Sequence, residues 1–386
     1  MKIKRYHGLD TLRAAAIILV FLFHYYGASH NPLLEYIPAR IGWVGVDLFF
    51  VLSGYLIGNQ IFSTIIKQDK FSLKTFYFRR CLRTLPNYFF VLGLYFLIPI
   101  FREKPLITPL WKFLIFTQNF DLNSSAFSNA WSLCLEEQFY FILPLFVLLL
   151  MHKTKLWKSW FLIIVILLSG IILRSSLWFT YIQHVGENKV PIYMAKIYYS
   201  SFCRLDGLVL GVAIALLRNF HKRTWKVLTQ KGNWLMAIGL TGCYFTCYPI
   251  PKLFGLAPTA FGYLLRSLGF AGLTVAALSS KTLLYNIKIP GALTLSTWSY
   301  AIYLTHKPII HITQLLLSDS TIAKSNIFIL LLVIFFSLIG GWLLYTCVET
   351  PFLKLRDKLG KSKPTDPIFT GGINTTVSDF FFPTEP

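Results

Sequence analysis

Apolar residues run through this chain in long blocks separated by short polar stretches. Blocks of this kind, close to the roughly 20 residues that a helix needs to cross a hydrocarbon core, predict spanning helices rather than the narrow apolar stripes of a soluble fold. Ten blocks stand out, at 10–27, 41–61, 86–101, 131–151, 156–173, 202–217, 234–249, 260–279, 292–317 and 327–348. The expected fold is all-α, a polytopic transmembrane helical bundle of about ten spans. Several blocks contain glycine, proline or charge, which predicts packing against protein more than against lipid. The first block lacks a small-residue cleavage site and carries Arg13 and His24, so it is expected to stay as the first span. Residues 1–359 are expected to form the transmembrane domain. From 360 to 386 the chain is rich in Gly, Pro, Thr and Lys, which predicts a flexible cytoplasmic tail.

Composition sharpens this picture. Hydrophobic residues make up 55% of the chain and charged residues 14%, where soluble domains carry about a quarter charged. A net charge of +21 would point to nucleic acid in a soluble protein. Here the positions of the charges give another reason. With the N-terminus inside, 24 Lys and Arg fall on inner segments and 9 on outer ones, the bias that sets membrane topology. Both termini are therefore expected in the cytoplasm, with an even number of spans, membrane lipid as a partner and no nucleic acid. The six cysteines mostly sit in or beside apolar blocks, with the spacing of neither a disulfide framework nor a zinc site. No metal is expected.

Polar residues at membrane depth mark candidate chemistry, because each is costly to place there. Arg13 and His24 are eleven residues apart, about three helical turns, so they share one face with roughly 16 Å of rise between them. Histidine near the midplane suits general-base work because it titrates near neutrality; a snorkelling arginine and an interhelical hydrogen-bond partner are the plainer alternatives. In "GVDLFFVLSGYLIG", Asp47 lies near the outer end and Ser53 near the centre. Gly54 and Gly58 form a small face for close helix packing. In "FYFRRCLRTLPNYF", one helical turn groups Arg79, Arg80 and Arg83, a plausible phosphate clamp or a lipid-facing basic cluster. "WSLCLEEQFYFILPL" takes Glu136 and Glu137 into the membrane from the outer side, about 100° apart on the helix, one toward a cavity and one pairing. Arg204 and Asp206 in "CRLDGLVLG", with Arg266, are expected at the same outer level, forming a vestibule or a set of assembly salt bridges. "LSTWSYAIYLTHKPII" places Tyr303, His306 and Lys307 ahead of Pro308, which predicts a cavity beside a helix break. Glu349 is expected at the inner edge.

Taken in order, these blocks resemble the acyltransferase 3 family of integral membrane O-acyltransferases over about residues 8–355. "LDTLRAAAIILVFLFH" resembles the family's signature of an arginine, ten residues and a histidine, at Arg13 and His24, and the five later blocks follow in the family's order. The family's closing motif, Glu-Arg-Pro-Phe, is here Glu349-Thr350-Pro351-Phe352, so the arginine is missing. The resemblance implies transfer of an acyl group, usually acetyl from acetyl-CoA, to hydroxyls of a cell-envelope glycan such as lipopolysaccharide O-antigen, exopolysaccharide or peptidoglycan, at a bacterial inner membrane. Some relatives carry a further extracytoplasmic esterase-like domain. This sequence ends soon after the tenth block, so the expectation is that it completes transfer alone or hands the acyl group on.

Charge map and resemblance lead to one scheme. Arg13, Arg79, Arg80 and Arg83 hold the donor from the inner side. Asp47, Arg204, Asp206 and Arg266 bind the acceptor from the outer side, with Glu136 and Glu137 nearby. His24 acts as general base or acyl carrier, and His306, Tyr303 or Ser53 donate to the oxyanion. The rival class is a transporter or flippase for a glycan or lipid-linked sugar, which composition alone allows; no inverted repeat with paired broken helices is visible in support of it.

Overall fold

The computed structural model describes residues 6–35, 38–67, 71–121, 125–153, 156–186, 189–247, 254–317 and 327–359. Every described element is helical. The chain opens with α1 (His7–Ser29), α2 (Val44–Ile66), α3 (Leu73–Leu97) and the short α4 (Leu110–Leu114). Then come α5 (Trp131–Lys153), α6 (Leu156–Tyr181), α7 (Lys189–Tyr193), α8 (Asp206–Phe220), α9 (Lys222–Gln230) and α10 (Gly232–Cys247). The last part holds α11 (Leu256–Leu278), α12 (Leu283–Asn286), α13 (Ala292–Leu316), α14 (Ile327–Leu344) and α15 (Thr350–Leu359). The expected tail, 360–386, lies outside the described residues.

A helix stands at each of the ten predicted spans, but six are by themselves long and apolar enough to cross a membrane: α1, α2, α5, α6, α11 and the run from α14 into α15. The other four fall short for visible reasons. α8 and α10 have 15 and 16 residues. α3 carries Arg79, Arg80 and Arg83, and α13 carries Ser, Thr, His and Lys. Several of these polar residues, among them Arg80, Arg83 and Ser299, line the interior described below, so the low hydropathy of α3 and α13 partly reflects what they face.

The core centres on α2, whose residues Val51, Leu52, Tyr55, Ile57 and Ile61 are almost fully buried. α2 packs most closely against α8. A Cβ on Gly54 would collide with the Leu208 carbonyl, and one on Gly211 with the Val51 carbonyl, so both positions need glycine for the backbones to meet. The small-residue face predicted on α2 is thus a packing face. Fixing α1 beside α13 are the Ser296 hydroxyl, donating to Asp10 at 3.0 Å near their N-termini, and His24 and His306, which meet 2.9 Å apart further along. The two helices therefore run parallel. α13 continues unbroken through Pro308; the expected break is absent because α1 and α14 pack on either side of it and hold the helix despite the hydrogen bond that proline removes.

Candidate active site

Two of the cavities among the described residues share a wall. The larger of them, about 360 Å³ and called outer after the topology expected from Lys and Arg, is lined by His24, Arg40, Trp43, Trp131, Tyr198, Tyr199, Tyr263, Arg266 and further aromatic, aliphatic and uncharged polar side chains. The inner one, about 80 Å³, is lined by Arg13, Ser53, Arg80, Arg83, Glu136, Glu137, Tyr140 and Tyr300 among others. Val46 and Tyr303 belong to both linings. Tyr303 is held in the wall by its hydroxyl, which lies 2.6 Å from Ser132 Oγ and donates to the Asn129 carbonyl at 2.9 Å. Asn129 Nδ2 in turn donates to the Tyr303 carbonyl at 2.8 Å.

His24 stands on the lining of the outer cavity. Nδ1 lies 3.0 Å from the Val20 carbonyl and 2.9 Å from His306 Nε2. His306 Nδ1 is 3.0 Å from the Ile302 carbonyl. A carbonyl only accepts, so in neutral rings His306 carries its proton on Nδ1 and offers Nε2 as an acceptor. His24 then donates from Nδ1, and its Nε2 keeps the free lone pair. His306 is fully buried and orients His24 as the third group orients the base of a catalytic triad. The neighbouring Lys307 is tied to Glu103 Oε1 and to Ser128 Oγ, both at 2.7 Å. That ion pair offsets the positive charge beside the histidines.

The inner cavity collects the charges. Ser53 Oγ donates to Glu136 Oε1 at 3.1 Å, and Tyr140 OH donates to Glu136 Oε2 at 2.8 Å. The Arg80 guanidinium lies 3.7 Å above the Tyr140 ring, and its Nε is buried with no hydrogen-bond partner among the described residues. Below, a π-helical turn at Tyr345–Glu349 rotates Glu349 inward, where Asn87 Nδ2 donates to it at 2.7 Å. Arg83, Arg13 and Arg356 lie within electrostatic range of Glu349. Arg356, on α15, thus supplies a guanidinium near the glutamate although position 350 is threonine.

Against the sequence expectations, this geometry keeps some groupings and changes others. Arg13, Arg80 and Arg83 converge; Arg79 is not on the cavity lining. Glu136 and Glu137 both face the inner cavity instead of an outer vestibule, because they lie about 7.5 Å further along α5 than Trp131, which lines the outer one. Ser53 follows them inward. Arg204 and Asp206 are not on the outer lining. Asp47 binds Arg204 Nη2 at 2.5 Å and Arg266 Nε at 3.3 Å, while Asp206 is held by Arg174 at 2.7 Å. Of the four predicted acceptor residues, Arg266 alone lines the outer cavity. Neither Ser53 nor His306 faces the open side of His24, since the first binds Glu136 and the second binds His24 itself. Sequence reasoning missed the Trp131-Ser132 pair as wall and support, and the aromatic set at Trp43, Tyr198, Tyr199 and Tyr263; the "IYYSSF" stretch was their one visible signal.

The family model for an acyltransferase domain matches residues 6–346, so it covers both cavities. The chain belongs to this acyltransferase family. It is also similar to named relatives. One is the peptidoglycan O-acetyltransferase OatA of Listeria monocytogenes, 29% identical over 369 residues, covering 90% of this chain and 56% of the relative. Another is the putative peptidoglycan O-acetyltransferase YrhL of Bacillus subtilis, 28% identical, covering 78% of this chain and 48% of the relative. The O-acetyltransferase OatA of Staphylococcus aureus is 28% identical over 230 residues, covering 54% of this chain and 34% of the relative. The chain thus spans about half the length, or less, of the curated relatives it matches. No solved structure matches. With its apolar helices, the family places this chain among multi-pass membrane proteins.

Proposed function

We propose that this chain is a membrane O-acetyltransferase that takes acetyl from acetyl-CoA on the cytoplasmic side and passes it to a hydroxyl of an extracytoplasmic envelope glycan. The observation that carries the reading is the stacking of an arginine cavity and an aromatic cavity on either side of Tyr303, with an oriented His24 on the aromatic side. Arg13, Arg80 and Arg83 suit a polyanionic donor, because guanidiniums bind phosphate in a fork geometry. Aromatic rings suit the apolar faces of sugar rings, and few polar groups are needed to fix orientation in such a cavity. The named relatives favour peptidoglycan over lipopolysaccharide as the acceptor.

In this reading the acceptor hydroxyl enters the outer cavity and His24 Nε2 takes its proton. The hydroxyl oxygen attacks the thioester carbonyl, a C–O bond forms, the C–S bond breaks and the thiolate of coenzyme A leaves. The imidazolium that forms keeps its Nδ1 proton on His306 Nε2 and the Val20 carbonyl. Tyr303 must yield for thioester and hydroxyl to meet, and its bonds to Ser132 and Asn129 are what hold it closed. The chain then sits in the bacterial inner membrane with both termini cytoplasmic, in line with the distribution of Lys and Arg.

The test is purified protein with labelled acetyl-CoA and envelope glycan. His24→Ala is expected to lower transfer by about 10²- to 10⁴-fold, with thermal stability retained. Unchanged transfer in that variant overturns the role of His24, and movement of glycan without label transfer supports a transporter instead.

A further inference from the structure

We infer that the outer cavity recognises a carboxylate on the acceptor glycan through Arg40 and Arg266. This rests on the reading of that cavity as the acceptor site. The lining contains both arginines and no aspartate or glutamate. Arg266 does not bring a counter-charge of its own, because it shares Asp47 with Arg204. Two guanidiniums on one carboxylate leave one positive charge over, in a wall that carries no acidic side chain. Arg204 and Arg266 are almost fully buried, and so is Asp47, so water screens that surplus weakly.

Arg40 stands at the mouth in a short helical turn, Pro38–Ile41. Its side chain is 45% exposed, and the nearest carboxylate, Glu35, is 3.9 Å away and also half-exposed. A contact of that length between solvated groups is worth little and yields readily to a better ligand. A neutral sugar is normally met by groups that accept from its hydroxyls. This cavity has such groups, Ser128, Asn129 and several tyrosines, but it adds two cationic donors that a neutral sugar does not require. That combination fits a pyranose whose ring lies on Trp43 or Tyr199 and whose anionic substituent is taken by a guanidinium in the forked geometry carboxylates prefer.

The test uses the full chain in nanodiscs and three disaccharide probes. The first is the peptide-free disaccharide of N-acetylglucosamine and N-acetylmuramic acid, whose lactyl group is a free carboxylate. The second is that disaccharide with the carboxylate converted to the primary amide, and the third is neutral diacetylchitobiose. Binding is read by quenching of tryptophan fluorescence, and acetyl transfer from labelled acetyl-CoA is read separately. The acid form is expected to bind at least about tenfold more tightly than either neutral form, the size of one charge-assisted hydrogen bond. Arg40→Gln should remove most of that preference by weakening the acid form alone, and Arg40→Lys should restore part of it. Equal binding of the three probes, or an equal loss for acid and amide in Arg40→Gln, overturns the inference whatever the transfer assay shows. Selective binding of the acid without acetyl transfer to any probe keeps the carboxylate site and counts against the acyltransferase reading.

Discussion

Two sets of arginine–carboxylate contacts lie inside this bundle, and they differ in what is left over. Around Asp206 everything is matched. Arg174 is fully buried, donates to both oxygens of Asp206, at 2.7 and 3.2 Å, and gives its other donors to the carbonyls of Cys203 and Ala260. That set ties α6 to α8 and α11. Around Glu136 the contacts open onto a cavity. Arg13, Arg80, Arg83, Glu136 and Glu137 line one space, and Arg80 Nε has no hydrogen-bond partner among the described residues. The same residue types are therefore fully matched in one place and, in the proposed function, left to hold a ligand in the other. What separates them is how completely the donors and acceptors match, not how deep they lie.

The comparison breaks first at Arg174. Arg174→Ala leaves Asp206 buried without its partner and is expected to lower stability by about 3–5 kcal/mol, read as a large drop in thermal midpoint or loss of folded protein after extraction. A variant that melts like the parent would show that the outer set is dispensable for assembly. Arg83→Ala should do the opposite. Its expected effect is a loss of about 1.5–3 kcal/mol in acetyl-CoA binding, the range for hydrogen bonds to charged groups, with the melting midpoint nearly unchanged. Titration of donor and of acceptor separates the two, and equal weakening of both would return Arg83 to the structural class. The smallest effect is expected at His306. His306→Ala should lower kcat about tenfold, some 1.4 kcal/mol, and leave the KM for acetyl-CoA alone, because it frees the His24 ring without touching the donor cavity. His306→Gln keeps an acceptor near the position of Nε2 and should recover part of kcat. If both variants lose activity together with folding, the histidine pair belongs with the matched contacts.

The arrangement also bears on Thr350. In the sequence, the closing motif lacks an arginine beside Glu349. In the structure Arg356, 7% exposed, lies within electrostatic range of that glutamate from α15. The π-helical turn at Tyr345–Glu349, which leaves Glu349 buried, is a local device that spacing on an ideal helix does not anticipate.

The sequence by itself determined the all-helical character, the shared face of Arg13 and His24, the grouping of Arg80 with Arg83 and the packing role of Gly54. All of these follow from helical periodicity within one segment, and from the rule that a membrane tolerates few polar groups without reason. Tertiary structure alone decided which polar residues meet across segments. Glu136 and Glu137 were assigned to the outer side because α5 starts there, yet about 7.5 Å of rise carries them to the inner cavity. Asp206 and Arg204 are two residues apart in sequence but bind different partners, 32 and 157 residues away. His306 is one of three oxyanion donors the sequence offers, with Tyr303 and Ser53, and the packing of α13 on α1 puts its Nε2 against His24 Nδ1. A periodic pattern fixes the direction of a side chain around its own helix axis. It carries no information on the rotation and depth of the neighbouring helix, and those two quantities decide whether a buried charge is matched or left facing a cavity.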